Sequence, residues 1–205
     1  MLKNILFTCL VIFYSTIVAA ESHQKNSIDL DFKTAVKHIE KKRFFEAFEI
    51  FSTLADRGIP EAQFNLALLY SNGLGVPKNY RLALYWSWQA HLNDHETAIN
   101  SVKTIYDLID EKLRNSVAQT ITDEMLLIAQ SGDRAAPLKL GTTYLGLFVE
   151  AQYKAAYLWL SISQAYGEER ASALMEEAAS QMTLEEVLAQ QEEAQKTFDS
   201  IIKND

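Results

Sequence analysis

Residues 60–90 read Pro-Glu-Ala-Gln-Phe-Asn-Leu-Ala-Leu-Leu-Tyr-Ser-Asn-Gly-Leu-Gly-Val-Pro-Lys-Asn-Tyr-Arg-Leu-Ala-Leu-Tyr-Trp-Ser-Trp-Gln-Ala. The centre of the stretch, Ser71-Asn72-Gly73-Leu74-Gly75-Val76-Pro77, concentrates two Gly, one Asn and one Pro in seven residues. Gly and Asn accept the left-handed conformation that ends a helix. Pro77 suits the opening of the next helix, where its missing N–H has no partner to lose. Upstream, Ala62, Leu66, Leu69 and Tyr70 stand at i, i+4, i+7 and i+8, one helix face. Downstream, Tyr80, Ala83, Leu84, Trp86 and Ala90 make a second apolar face. Two antiparallel helices joined this tightly must pack on each other and still have apolar surface to cover.

A fainter copy runs from Ala136 to Ser163. Leu66-Ala67-Leu68-Leu69-Tyr70 matches Leu140-Gly141-Thr142-Thr143-Tyr144 at an offset of 74, and Val76, Tyr80, Ala83 and Trp86 match Val149, Tyr153, Ala156 and Trp159 at an offset of 73. One residue is missing from the second turn, where Gly75 has no counterpart. The register continues past the pair, with His95-Glu96-Thr97-Ala98 against Glu168-Glu169-Arg170-Ala171. So long a period predicts two extra helices per unit, at about residues 94–130 and 168–203. A partial repeat precedes both: residues 45–58 read as a second helix with a Gly58 C-cap, after a first helix from about Asp29 to Lys42. The expected fold class is all-α, an α/α superhelix or solenoid, with repeats at about 29–59, 60–92 and 134–166 in one domain over 29–205.

Glu61-Ala62-Gln63-Phe64-Asn65-Leu66, Tyr70, Gly73-x-Gly75-Val76 and Ala83-x-x-Trp86 resemble the Sel-one-like repeat, a relative of the tetratricopeptide repeat. Residues 60–92 carry the pattern closely, 42–59 carry half of it, and 134–166 diverge, with Leu147-Phe148-Val149 in place of the glycine turn. The segment from Met182-Thr183-Leu184-Glu185-Glu186 resembles the closing helix of bacterial members. The resemblance implies a superhelix with an adaptor or scaffold role and no catalytic residue. The cysteine-rich exported members pair cysteines across each repeat. This chain departs from them, because Cys9 is its only cysteine.

Residues 1–20 read as a signal peptide: Lys3, an apolar run from Ile5 to Val18, and Val18-Ala19-Ala20 before Glu21. The alternative is an uncleaved anchor, but the run is short against the ~20 residues a span needs. Cys9 lies inside that run without the small residues that precede a lipidated cysteine. The expectation is an exported protein, periplasmic or secreted, without disulfides, with a loose leader over 21–28 and no stable membrane insertion after cleavage. All three Pro (Pro60, Pro77, Pro137) fall at repeat or helix starts, and strand signals are absent. The net charge of −8 disfavours nucleic acid and anionic lipid as partners. Residues 168–205 hold ten acids against three bases, whereas Lys33, Lys37 and Lys41 stand at i, i+4, i+8 near the other end. Solvated faces explain both runs; a dipolar solenoid whose ends meet a partner or each other is the sharper reading.

Constellations that could carry chemistry are thin. His91 and His95 stand four apart, a zinc-like spacing on an unbroken helix, but Asn93-Asp94 reads as a helix break between them, leaving His91 at a helix C-terminus. Trp86, Trp88, Trp159, Tyr70, Tyr85, Tyr144, Tyr153 and Tyr157 fit an aromatic groove or a core. Trp86 and Trp159 occupy matching positions and are expected between helices. Trp88 stands ~200° around the helix from Trp86 and either packs on the next repeat or is an exposed contact. Ser22-x-x-Lys25 and Ser200-x-x-Lys203 match a nucleophile pattern that needs a packed site, one in the leader and the other at the C-terminus. No phosphate loop, cofactor motif or metal set is present in the sequence. Asn65 and its counterpart Lys139 are the expected exposed contacts for a protein or peptide partner. The rival expectation is a cell-wall or β-lactam-processing hydrolase, because penicillin binding has been credited to some exported relatives of this type.

Overall fold

The computed structural model of the chain describes residues 24–204, and every described element is helical. In chain order these are α1 (24–40), α2 (Phe44–Asp56), α3 (Pro60–Asn72), α4 (Tyr80–Leu92), α5 (Ala98–Tyr106), α6 (Glu111–Gln130), α7 (Ala136–Gly146), α8 (Tyr153–Ala165), α9 (Arg170–Ser180) and α10 (Leu184–Asn204). Residues 24–28, read from sequence as part of a loose leader, belong to α1, which starts before Asp29 and ends at 40 rather than 42. Ile28 already packs on the first core, and this contact extends the helix N-terminally. The proposed signal peptide and Cys9 lie outside the described residues.

The turn chemistry acts as its residues dictate. Ile59 is extended, Pro60 opens α3, and Gly73 closes it in the left-handed region (φ 69°) with its N–H on the Leu69 carbonyl at 2.9 Å. Gly75 is required for a second reason: a Cβ there would run into the Phe44 carbonyl, because this turn lies against the start of α2. The Asn79 side chain then caps α4 by accepting from the Leu82 N–H at 3.1 Å.

The second turn reaches the same end differently. Leu147 stays right-handed, yet the Gln152 N–H still reaches the Tyr144 carbonyl at 2.9 Å, as the Asn79 N–H reaches that of Tyr70. Arg114 of α6 holds this turn. Its Nε donates to the Leu147 carbonyl at 2.8 Å and its Nη2 to those of Phe148 (2.9 Å) and Gly146 (3.3 Å). The guanidinium lies 3.8 Å from the Tyr106 ring centroid. A side-chain clamp thus satisfies carbonyls that a glycine turn would satisfy with backbone.

Contacts explain the long period. Each second helix packs on the first helix that follows it: α2 on α3, α4 on α5, α6 on α7, α8 on α9. Within pairs, α3 packs on α4 and α7 on α8, while α6 lies along α4 and α10 along α8. The unit is therefore four helices, α3–α6 and then α7–α10. Tyr80–Leu92 and Tyr153–Ala165 are offset by 73 at both ends, as are the starts of α6 and α10. Left-handed residues close the second helices at Gly58, Asp94, Gly132 and Gly167. Stacked helices of this kind, each burying its face on sequential neighbours, make an all-α solenoid.

Three core clusters run along it. The first joins α1, α2 and α3 through Ala35, Phe51, Leu54 and Leu66; the central one joins α4 to α8 and α10; the last joins α8 and α9 through Leu160, Ala171 and Ala178. Burying each large side chain contributes roughly 1.5–3 kcal/mol relative to exposure. The tryptophans divide unexpectedly. Trp88 is the fully buried one, 1% exposed, with Nε1 donating to Thr143 Oγ1 at 3.0 Å, and Trp159 is buried at 6%. Trp86, expected between helices like its counterpart Trp159, does pack on the first core but is only partly buried. The reason is tertiary: α7 covers the Trp88 side of α4, whereas the Trp86 side opens on a cleft towards α6.

α10 begins with the expected capping box. The Thr183 N–H donates to Glu186 Oε2 at 2.8 Å, and the Glu186 N–H donates to Thr183 Oγ1 at 3.2 Å. Lys154 of α8 pairs with Glu186 at 2.8 Å. Those contacts, Lys154 first, hold the Glu186 carboxyl down to about 2. Ala194 and Ile201 of α10 are buried in the central core.

Candidate partner-binding surface

Position 63 places a glutamine where a helix between two neighbours buries its side chain, so its amide needs partners. Gln63 Nε2 donates to the Ala55 carbonyl in the last turn of α2 at 3.2 Å. Its Oε1 accepts from Asn93 Nδ2 at 2.9 Å, and Asn93 Oδ1 accepts from Lys139 Nζ at 2.7 Å. This line of polar groups ties α2, α3, the end of α4 and α7 together. Asn93 is available because α4 stops at Leu92 and Asp94 turns left-handed (φ 66°). Asp94 Oδ1 accepts from Arg170 Nη1 at 2.7 Å, and Arg170 also pairs with Glu168 at 3.0 Å.

Around Lys139 lies a cleft of about 230 Å³ where α4, α7 and α9 meet, walled by Leu92, Leu138 and Leu174, with His91, Asp94 and Arg170 on its rim. Burial lowers the Lys139 amine below its ordinary value, with Asp133 and Asp94 pulling the other way. Burial likewise holds the His91 imidazole down against the pull of Asp94, so it is neutral at neutral pH. The Lys139 ammonium has a neutral amide oxygen as its hydrogen-bond partner rather than a carboxylate. An incoming carboxylate would find a cation, hydrogen-bond donors and an apolar wall there.

Lys139, expected as an exposed contact, is therefore half-buried and structurally engaged. Asn65 is half-buried as well, and its amide closes on its own helix at the Glu61 carbonyl (2.7 Å). It does not line the cleft, so the two positions do not form one site. Gln63, Asn93 and Arg170 escaped the sequence reading. The one signal for them was a glutamine in register with the apolar stripe at 66 and 70.

The other constellations resolve by geometry. His91 leans on Trp88 with ring centroids 5.0 Å apart, and His95, beyond the helix break, stacks on Phe64 at 4.2 Å. No cluster of metal-ligating side chains occurs among the described residues. Ser200 and Lys203 sit exposed on the last turns of α10, and Ser22 lies outside the described residues. Of the aromatics, Tyr157 and Trp159 are buried, but Tyr85 and Trp86 line a second cleft of about 230 Å³ with Arg81, Val117 and Glu124. There the Tyr85 hydroxyl donates to Glu124 Oε2 at 2.7 Å, and burial first, then Glu124, pushes its pKa up to about 12.

The Sel1 repeat family model matches residues 60–87 and 138–163, the spans of α3–α4 and α7–α8. Chitin synthase regulatory factor 3 of Schizosaccharomyces pombe is 28% identical over 127 residues, 58% of this chain; the chain spans only 14% of that protein's length. Among solved structures, c5321, a protective antigen of uropathogenic Escherichia coli strains displaying an SLR fold, aligns over 90% of this chain and 47% of its own at 19% identity and a TM-score of 0.37. A Sel1 repeat protein from Oxalobacter formigenes aligns over 82% and 87% at 20% identity and a TM-score of 0.31. Proteins built from these repeats are generally non-catalytic scaffolds for protein–protein interaction. Both matched segments fall on its two tightly paired helix hairpins, and this chain carries Sel1-like repeats there.

Proposed function

We propose that this protein is an exported interaction module of the cell envelope, periplasmic or secreted, that binds a protein or peptide partner on its superhelical surface and performs no chemistry on it. The Lys139 cleft carries this reading. It offers a half-buried cation with a neutral partner, beside Leu92, Leu138 and Leu174. The matching partner presents a carboxylate next to an apolar residue. Charge recognition by a half-buried cation against an apolar wall, within a polar rim, is how a small contact gains specificity. Export is supported by the charge, apolar run and small-residue site of residues 1–20.

The test is capture from envelope extract with immobilised wild-type protein and with Lys139→Met, which keeps most of the apolar stem and removes the charge. The wild type should retain a partner that the variant loses, with the variant shown to be folded by circular dichroism at the assay temperature despite losing its bond to Asn93. Retention of the same partner by a folded Lys139→Met protein would remove the cleft from the mechanism. Covalent labelling by a fluorescent penicillin would favour the hydrolase instead.

A further inference from the structure

The outer faces of α1 and α10 carry opposite charge around exposed leucines. On α10, Leu184, Leu188, Glu192, Gln195, Asp199 and Ile202 recur at spacings of three and four and so share one face. Leu184 is 75% exposed, Leu188 51% and Ile202 49%. Glu185 borders the same face, which lies to one side of buried Ala194 and Ile201; Gln195 borders the cleft against α8 and donates to half-buried Asp199 Oδ1 at 2.8 Å. On α1, Leu30, Lys33 and Lys37, with Lys41 in the turn just past its end, share a face opposite Ile28, Phe32, Ala35 and Ile39, which pack on the first core. Leu30 is 65% exposed, and the three lysines are all exposed. Among the described residues none of these lysines has an ion-pair partner, nor has Glu185, Glu192 or Asp199.

We propose that these two faces are the complementary halves of a head-to-tail contact between copies of this chain, α10 of one copy receiving α1 of the next. Two observations select a second copy as the occupant. The first is net charge: three lysines, flanked by Asp29 and Glu40, meet three carboxylates, flanked by Lys203, each group bordering exposed leucine. The second is the packing rule of the solenoid itself. Every second helix from α2 to α8 lies on the first helix that follows it. A copy's α1 on α10 repeats that contact once more. The interface is heterologous, because the two faces differ, so it does not close in a dimer; association extends with concentration. Exposed ion pairs are weak and screened, so the contact is salt-sensitive.

The experiment is sedimentation velocity of the purified protein over a concentration series at low and high salt. Alongside run Lys33→Glu/Lys37→Glu, with two acidic ends, and Glu185→Lys/Glu192→Lys, with two basic ends. The wild type should associate at low salt, with the association constant falling about tenfold or more between roughly 50 and 500 mM salt. Each variant alone should stay monomeric, and an equimolar mixture of the two should associate again. The mixture is decisive, because neither misfolding nor general charge repulsion predicts that two non-associating proteins restore each other. A wild type that stays monomeric throughout, variants that associate undiminished, or folded variants whose mixture stays monomeric would each overturn the proposal.

Discussion

Replacing Trp88 by alanine tests the core assignment most directly. The ring is 1% exposed, stands between α4 and α7, and joins them through its bond to Thr143 Oγ1 at 3.0 Å. Truncating a fully buried aromatic costs ~3–5 kcal/mol, the transfer term plus the cavity that remains. The Thr143 hydroxyl still donates to the Lys139 carbonyl at 2.7 Å, so no buried donor is orphaned and the upper end of that range is not exceeded. Domains of this kind have about 5–15 kcal/mol in total, so the loss is a large share of it. With a urea m-value of about 2 kcal/mol/M, the midpoint followed by circular dichroism should fall by roughly 1.5–2.5 M. Trp86→Ala removes a half-buried ring whose edge meets Tyr85 at a centroid distance of 5.0 Å. About half the transfer term, ~1–2 kcal/mol, applies there, or under roughly 1 M. Trp88→Phe should fall between the two. A Trp86→Ala shift equal to or larger than that of Trp88→Ala would refute the assignment of inside and outside on α4.

Other outcomes follow from particular contacts. Arg114→Ala should loosen the turn at 147–150 by releasing three carbonyls, at a cost of ~1–3 kcal/mol; hydrogen exchange at the Val149 and Gln152 amides should rise, and an unchanged rate would argue that the clamp is incidental. Gly75→Ala must push against the Phe44 carbonyl, whereas Gly167→Ala meets open space, so the first should lower the melting temperature more; equal losses would mean left-handed strain alone matters. Glu186 has a folded pKa depressed to about 2 against an ordinary 4.5. Its contribution is therefore fully present above about pH 5 and is lost as pH falls towards 2; Glu186→Gln should flatten that part of the acid limb, and superimposable acid profiles would contradict the Lys154 pairing. Deleting residues 183–205 strips Ala194 and Ile201 from the central core, so the truncated protein should melt lower and aggregate; a matched melting curve would show that α10 is not part of the fold.

The sequence already contained what local rules control. Helix periodicity, the Gly73 C-cap, Pro60 at a helix start, the Asn93-Asp94 break and the Thr183–Glu186 box all act within about four residues, and each forms as its chemistry requires. The 73-residue register was visible too, because equivalent helices bury equivalent faces. The site was legible only as a position. Lys139 was marked by its match to Asn65, but its burial, its bond to Asn93 and the cleft around it were not.

What the tertiary structure alone decided depends on which helix comes to lie against which. Trp86 and Trp88 both sit on α4 in an apolar context, and no local rule ranks them; α7 arriving over Trp88 buries one fully, and the open cleft before α6 leaves the other partly exposed against the first core. Arg114 reads as an ordinary surface cation until a turn without a left-handed glycine cap, 33 residues on, needs its guanidinium. Asp94 and Arg170 meet across 76 residues, and Lys139 joins Asn93 across 46. Local hydrogen bonding and side-chain periodicity are written in adjacent residues and so determine the helices and their order. Burial and charge pairing are properties of surfaces brought together by stacking, and in this solenoid only the stacked helices fix them.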